Sequence, residues 1–373
     1  MDPIQTKDKR EEKVRTSSTK QRRRIEIIDV AKCIAIFMVI LGHTASNTEL
    51  QGNPPMLIKI LYSIHMPLFF FLSGLSIAPK PLKDWAGWRF FLRKTVLTIA
   101  IPYLLWALVY CNFNFQNVGW ILYGSWKALG KTGTVTSLWY LSCLFCARIF
   151  VQAVIGFVSK YSGKRVFYLM PAAVCLVLGA VLPDIEIGYP WCLNIAFVAS
   201  GFILMGIAVK NGVIELAVQK GWVLFALLAA SAALYAAAVV LCGDGFITIM
   251  MCKGAYGNPF FALAFSLLGG FAVLVLSMIL KRAANEWLTG LTIRPLVYLG
   301  QHTMGVFLLH KPILQNILLP ALGSLGIPDL LIRLLATFAA LLASMPLCRL
   351  IEYYIPELIG IFSKDVIAGK NQR

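Results

Sequence analysis

A chain of 373 residues that is 59% hydrophobic and only 14% charged carries more apolar surface than a water-soluble interior can hide, which excludes a soluble globular enzyme. The formal net charge of +17 raises nucleic acid as a partner, but the basic residues sit in an N-terminal tail and in alternate short loops. That is the pattern of membrane orientation, so no nucleic acid is expected and membrane lipid is.

Residues 1–24 carry nine Lys/Arg and four acids and almost nothing apolar, too little to fold on, and read as a disordered basic cytoplasmic tail. No small-residue cleavage site follows the first apolar run, so that run is expected to stay in the protein. The alternating strands of an outer-membrane barrel are missing, and the fold class expected is an all-α integral membrane protein. About ten transmembrane helices are predicted, near 27–47, 57–78, 95–111, 137–158, 166–182, 191–209, 222–242, 259–280, 295–314 and 329–352. With the tail inside, the loops at 79–94, 159–165, 210–221 and 281–294 hold thirteen Lys/Arg, against three (Lys127, Lys131, Lys253) in the five opposite loops. The asymmetry predicts an inner or plasma membrane protein with both termini cytoplasmic: the tail 1–24, one multispanning domain 25–358, and a short C-terminal tail 359–373. No internal repeat is visible.

Nine cysteines, mostly within apolar runs, give no framework. Cys143 and Cys146 lack the second pair or the histidines of a zinc site and read as packing, so no metal is expected; a Cys242–Cys252 disulfide stays open.

Ionisable residues inside spans are costly and by default functional. On the first span, Lys32 and His43 are eleven residues apart, within about 20° on one helix face and separated by roughly 16 Å. Asp29 can pair with Lys32 across one turn. On the second span, "LYSIHMPLFFFLSG", His65 lies at a depth comparable to His43, so the two either share a polar cavity or are separate packing histidines. A neutral imidazole suits proton transfer near physiological pH, and a base in a membrane suits acyl transfer from a thioester to a hydroxyl. On the ninth span His302 and His310 are about 80° apart, and His310 either joins the His43 cavity or packs elsewhere. Trp139 and Tyr140 open the fourth span as interfacial aromatics or as a sugar-binding lining, and Arg148, mid-span, awaits an anion or backbone carbonyls. Lys59, Lys311, Arg349 and Glu352 lie near span ends, where they can snorkel to the interface.

Taken together, these residues resemble acyltransferase family three, the multispanning O-acyltransferases. The resemblance rests on Asp29, Lys32 and His43 after an arginine-rich lead, with "HMPLFFFLSG", "LWYLSCLF" and "LGQHTMGVFLLH" similar to the branch related to fucose 4-O-acetylases. It covers about residues 25–355. It implies transfer of an acyl group, usually acetyl, from cytosolic acetyl-CoA to a hydroxyl of a cell-envelope carbohydrate or lipid-linked precursor. By position it implies catalysis by His43, Lys32 facing the coenzyme, and matches at His65, Ser73, Trp139 and His310, the last three read as acceptor binding. The residues themselves suggest His65 orienting His43 or stabilising the oxyanion, Asp29, Arg148, Arg89 and Arg93 joining Lys32 at the coenzyme, and Tyr140 beside Trp139 at the acceptor. Cys33 stands where the family often has glycine. No esterase-like or racemase domain follows the last span, so the membrane domain is expected to act alone or with a separate partner. Direct transfer and a transient acyl-histidine both fit. The rival readings are a proton-coupled transporter or flippase, disfavoured by few buried carboxylates and no repeats, and a membrane sensor.

Overall fold

The computed structural model describes residues 26–46, 49, 50, 52, 54–132, 136–286, 293–363, 366 and 367, and the tail expected over 1–24 lies outside them. Among the described residues the regular elements are helical, apart from one isolated bridge between Met250 and Ala255. In chain order they are α1 (26–42), α2 (Met56–Ser76), α3 (Trp85–Tyr110), the short α4 (Val118–Tyr123) and α5 (Trp126–Lys131), and α6 (Trp139–Tyr161), entered through a 3-10 turn at Thr136–Leu138. Then come α7 (Leu169–Val181), α8 (Leu193–Leu216), α9 (Gly221–Cys242), α10 (Pro259–Glu286), α11 (Arg294–Gln301), α12 (Thr303–Pro312), α13 (Leu319–Gly323) and α14 (Asp329–Tyr354). A π-helical stretch, Ile313–Leu318, carries α12 into α13.

Eight of the described helical units are long and apolar enough to cross a membrane, which makes this an all-α, multi-pass membrane fold. The other two predicted spans coincide with shorter helices, α1 and α7 with its 3-10 lead. Helix α1 also ends at residue 42, not 47. His43 N–H still closes the last turn on Val39 O, but Thr44 turns its hydroxyl back onto Leu41 O at 2.7 Å. Such a side-chain bond gives the backbone an exit from the helix.

Helix α8 is the hub, packed on α2, α6 and α7, while α9 lies outside against α10 with most of its surface turned to lipid. Backbones touch where α2 crosses α8: a Cβ on Gly74 would stand 2.0 Å from Ile203 O, and one on Gly206 would stand 2.2 Å from Phe71 O. Only glycine permits that approach, the usual way membrane helices pack without a hydrophobic driving force. The predicted ninth span is broken at His302 (φ −102°, ψ 20°), between α11 and α12. There Gly300 lies so close to α1 that a Cβ would meet Asp29 O at 1.8 Å.

Two prolines interrupt site helices, and each frees a carbonyl four residues earlier. Pro67 leaves Ser63 O, which accepts from the Ser266 hydroxyl of α10 at 2.9 Å. Pro312 leaves Leu308 O, which accepts from the Tyr110 hydroxyl of α3. Both kinks are thereby satisfied by a neighbouring helix, as burial in lipid demands.

Candidate functional site

Three of the four histidines converge where α1 ends. His43, in the last turn of α1, stacks on His310 of α12 with ring centroids 5.3 Å apart and planes 29° from parallel. His65 of α2 stands edge-on to Tyr62 at 5.1 Å, and its Cε1 lies 3.9 Å from where a Cβ on Gly42 would be. Its charge, like that of His310, would bear directly on His43. The fourth, His302, stays apart at the other end of α12, with Nδ1 on Tyr298 O at 2.8 Å and Nε2 on Glu352 Oε2 at 3.1 Å.

The backbone fixes two of the tautomers. Carbonyl oxygens only accept, so His65 donates its Nδ1–H to Leu61 O at 2.5 Å and His310 donates its own to Phe307 O at 2.7 Å. Each neutral ring then presents a lone pair at Nε2. In His310, wholly buried, that nitrogen has no hydrogen-bond partner among the described residues. With its one proton given to Leu61 O, His65 in this tautomer accepts a hydrogen bond at Nε2 and offers none there. Of the roles expected for it, orienting His43 fits this tautomer; holding an oxyanion requires a proton it does not carry.

A cavity of about 170 Å³ begins at Lys32 and ends beneath the histidines. Lys32 and Val39 of α1, Ser73 of α2, Tyr140 and Leu144 of α6 and Phe307 of α12 line it. Lys32, Val39 and His43 follow one line of α1, at positions i, i+7 and i+11, so the imidazole stands one turn above the cavity. Phe307 is three residues before His310 and touches its ring, with centroids 5.8 Å apart. The Ser73 hydroxyl donates to Phe69 O at 3.0 Å.

Asp29 is buried one turn before Lys32 on α1. It accepts from Gln301 Nε2 at 3.1 Å and faces Lys32 Nζ at 4.0 Å, an arrangement that ties α1 to α11. Arg148 continues the line of Tyr140 and Leu144 one turn further along α6, half-buried. Arg89 and Arg93 lie apart from the cavity, exposed on the amphipathic start of α3, where Arg93 Nε donates to Val366 O at 3.1 Å. Trp139 is not at an interface but buried in the core, edge-on to Tyr140 at 6.4 Å. The segment 356–360 packs on α3: Trp106 Nε1 donates to Leu358 O at 2.9 Å, and Ile359 is buried.

The partners of two in-span cations, Lys311 and Arg333, escaped sequence reasoning. Lys311, expected to snorkel, turns inward and donates to Thr136 Oγ1 at 3.3 Å, within electrostatic reach of His43. Arg333 of α14 gathers the chain just after His43, with bonds to Glu49 Oε1 and Asp329 Oδ2 at 2.6 Å each and to Thr44 Oγ1 at 3.3 Å. The shared pattern His-x-Pro, at His65–Pro67 and His310–Pro312, is the signal that pairs the two helices.

All nine cysteines are free thiols, Cys242 and Cys252 included. Among the described residues no group of three His, Cys, Asp or Glu side chains is placed to hold a metal ion. No curated protein and no solved structure matches the chain. The acyltransferase domain model of the acyltransferase-3 family matches residues 25–352, most of the chain and every residue of the cavity and the histidine cluster, and the protein belongs to that family.

Proposed function

We propose that the protein is a membrane O-acyltransferase that moves an acyl group, acetyl in the first instance, from cytosolic acetyl-CoA to a hydroxyl of a cell-envelope carbohydrate or lipid-linked precursor. The observation that carries this reading is the line Lys32–Val39–His43 on α1, with a cavity beside Lys32 and Val39 and the stacked His43 and His310 one turn beyond it. The motifs on α2, α6 and α12 favour the branch related to fucose 4-O-acetylases.

In this reading the Lys32 end of the bundle faces the cytoplasm, with both termini, in keeping with the basic loops on that side. Lys32 and Arg148 attract the anionic carrier, and the narrow apolar cavity admits its thioester arm. His43 removes the proton of the acceptor hydroxyl as that oxygen adds to the thioester carbonyl. Collapse expels the carrier thiolate, and the His43 imidazolium returns the proton to it, leaving an ester, a free thiol and a neutral base. On substrate binding the lone pair of His65 takes the N–H of His43, which sets the other nitrogen toward the acceptor. The stacked His310 keeps water out and fixes the ring plane.

The test is thiol release from acetyl-CoA by purified protein supplied with envelope glycans, with mass spectrometry to find the added acetyl mass. His43→Ala is expected to slow transfer about 10²- to 10⁴-fold, the usual worth of a general base. A folded His43→Ala protein working at the wild-type rate rejects the reading. Uptake of an envelope precursor without thioester cleavage assigns the site to transport.

A further inference from the structure

Beyond the imidazoles, on the side away from the Lys32 cavity, α12 and α6 bring a cation and a hydroxyl together. Lys311 lies one turn past Phe307, Thr136 one turn before Tyr140, and Phe307 and Tyr140 both line the cavity. The 3.3 Å bond between Lys311 Nζ and Thr136 Oγ1 therefore spans the site at its far side. Among the described residues no carboxylate pairs with Lys311. Its electrostatic neighbours are the imidazoles of His43 and His310 and the thiol of Cys252, none of them an anion. By contrast Lys127 is paired with Asp184 at 2.8 Å, and Arg333 has two carboxylates. A half-buried ammonium with one neutral oxygen for company is held at a cost that an anion beside it would remove.

We propose that Lys311 and Thr136 form an anion subsite that holds a phosphate or carboxylate of the acceptor while a neighbouring hydroxyl of the same molecule reaches His43. The acceptor class is then an anionic hydroxyl compound, a sugar phosphate or a sugar acid, and not a neutral glycan. That the hydroxyl is the reacting group rests on the acyl-transfer reading; the anion subsite does not. The donor approaches along the Lys32 cavity, so a cation on the opposite side of the histidines serves the acceptor. A compact ammonium on a flexible stem suits a phosphate or a carboxylate as a point charge.

The experiment is thermal unfolding of the full chain in neutral detergent at fixed ionic strength, titrated with inorganic diphosphate, D-glucuronate or neutral glucose. At least one anion is expected to raise the wild-type midpoint and glucose is not. Stabilisation by diphosphate alone identifies a phosphate-bearing acceptor, and by glucuronate alone a carboxylate. Lys311→Met should bind the active anion about ten- to a hundredfold more weakly, the worth of one charged hydrogen bond. Lys311→Arg should keep most of the affinity, and Lys131→Met, whose ammonium lies over the Trp120 ring, should keep all of it. Should Lys311→Met fail to fold, Thr136→Val is expected to weaken binding severalfold. The proposal is overturned if no anion stabilises the wild type, if glucose does so equally, or if the anion stabilises the Lys311 and Thr136 variants as strongly as the wild type. Thiol release from acetyl-CoA in the same preparation separates the two ideas. Anion binding through Lys311 without thioester cleavage sinks the acyl-transfer reading alone, and cleavage without anion binding sinks the subsite alone.

Discussion

Leu144 is a half-buried wall of the cavity, and its side chain helps set how much room is left between Lys32 and the imidazoles. An indole at this position would fill much of a space of about 170 Å³, yet its outer edge can relax away from the core. Leu144→Trp is therefore expected to lower thiol release from acetyl-CoA at least tenfold while moving the thermal midpoint by only a few degrees, as checked by paired activity and unfolding assays. If the cavity is not the donor's path, activity will survive.

Helices α2 and α8 cross through Gly74 and Gly206, and there the usual preference of a helix for alanine reverses. Gly206→Ala places a methyl 2.2 Å from Phe71 O, so the helices must part, and since Phe71 lies six residues past His65 the site helix moves with them. A loss of about 2 kcal/mol or more is expected, the scale of overpacking a tight core. Gly156 of α6 has open space where its Cβ would be, and Gly156→Ala should instead stabilise by about 0.5–1 kcal/mol. Opposite signs for one chemical change, measured by unfolding in a single detergent, would locate the crossing. Equal signs would mean that the two backbones do not touch there.

Across the whole molecule, Arg333 links the last long helix to the loop that follows His43. Burial by itself would raise the Glu49 carboxyl, but the Ser46 N–H and the Arg333 guanidinium outweigh it and hold the group below the usual carboxylate range. A carboxyl depressed in the folded state contributes stability that is complete above its unfolded value, near 4.3, and fades as pH falls through the lower folded value. Wild-type protein should therefore lose thermal stability on acidification below about pH 4.5 more steeply than Glu49→Gln, which has no such proton to gain. Parallel midpoint-against-pH curves for the two would remove Glu49 from the clamp. Because Glu49 is a third exposed, the effect should shrink as salt is added.

Membrane residence, the all-helical class, the rough position of each helix and the common face of Lys32 and His43 were all legible in the amino-acid order. Each depends on hydrophobic run length or on the 3.6-residue turn, which are properties of a short stretch of chain. The end of α1 at residue 42 and the break at His302 were not, because a Thr44 hydroxyl and the passage of α1 across Gly300 decide them. Nor could spacing show that His310 stacks on His43, that Lys311 turns toward Thr136, or that Arg333 reaches back to Glu49. Those partners are 267, 175 and 284 residues apart, and position along a helix says how deep a side chain lies but not which neighbour it meets. Periodicity can tell that Arg89 and Arg93 are basic and near a membrane face; only the packing of α3 against the rest sends them away from the cavity. The chain's own order determined which groups the bilayer would hold, and the crossings of its helices determined which of those groups meet.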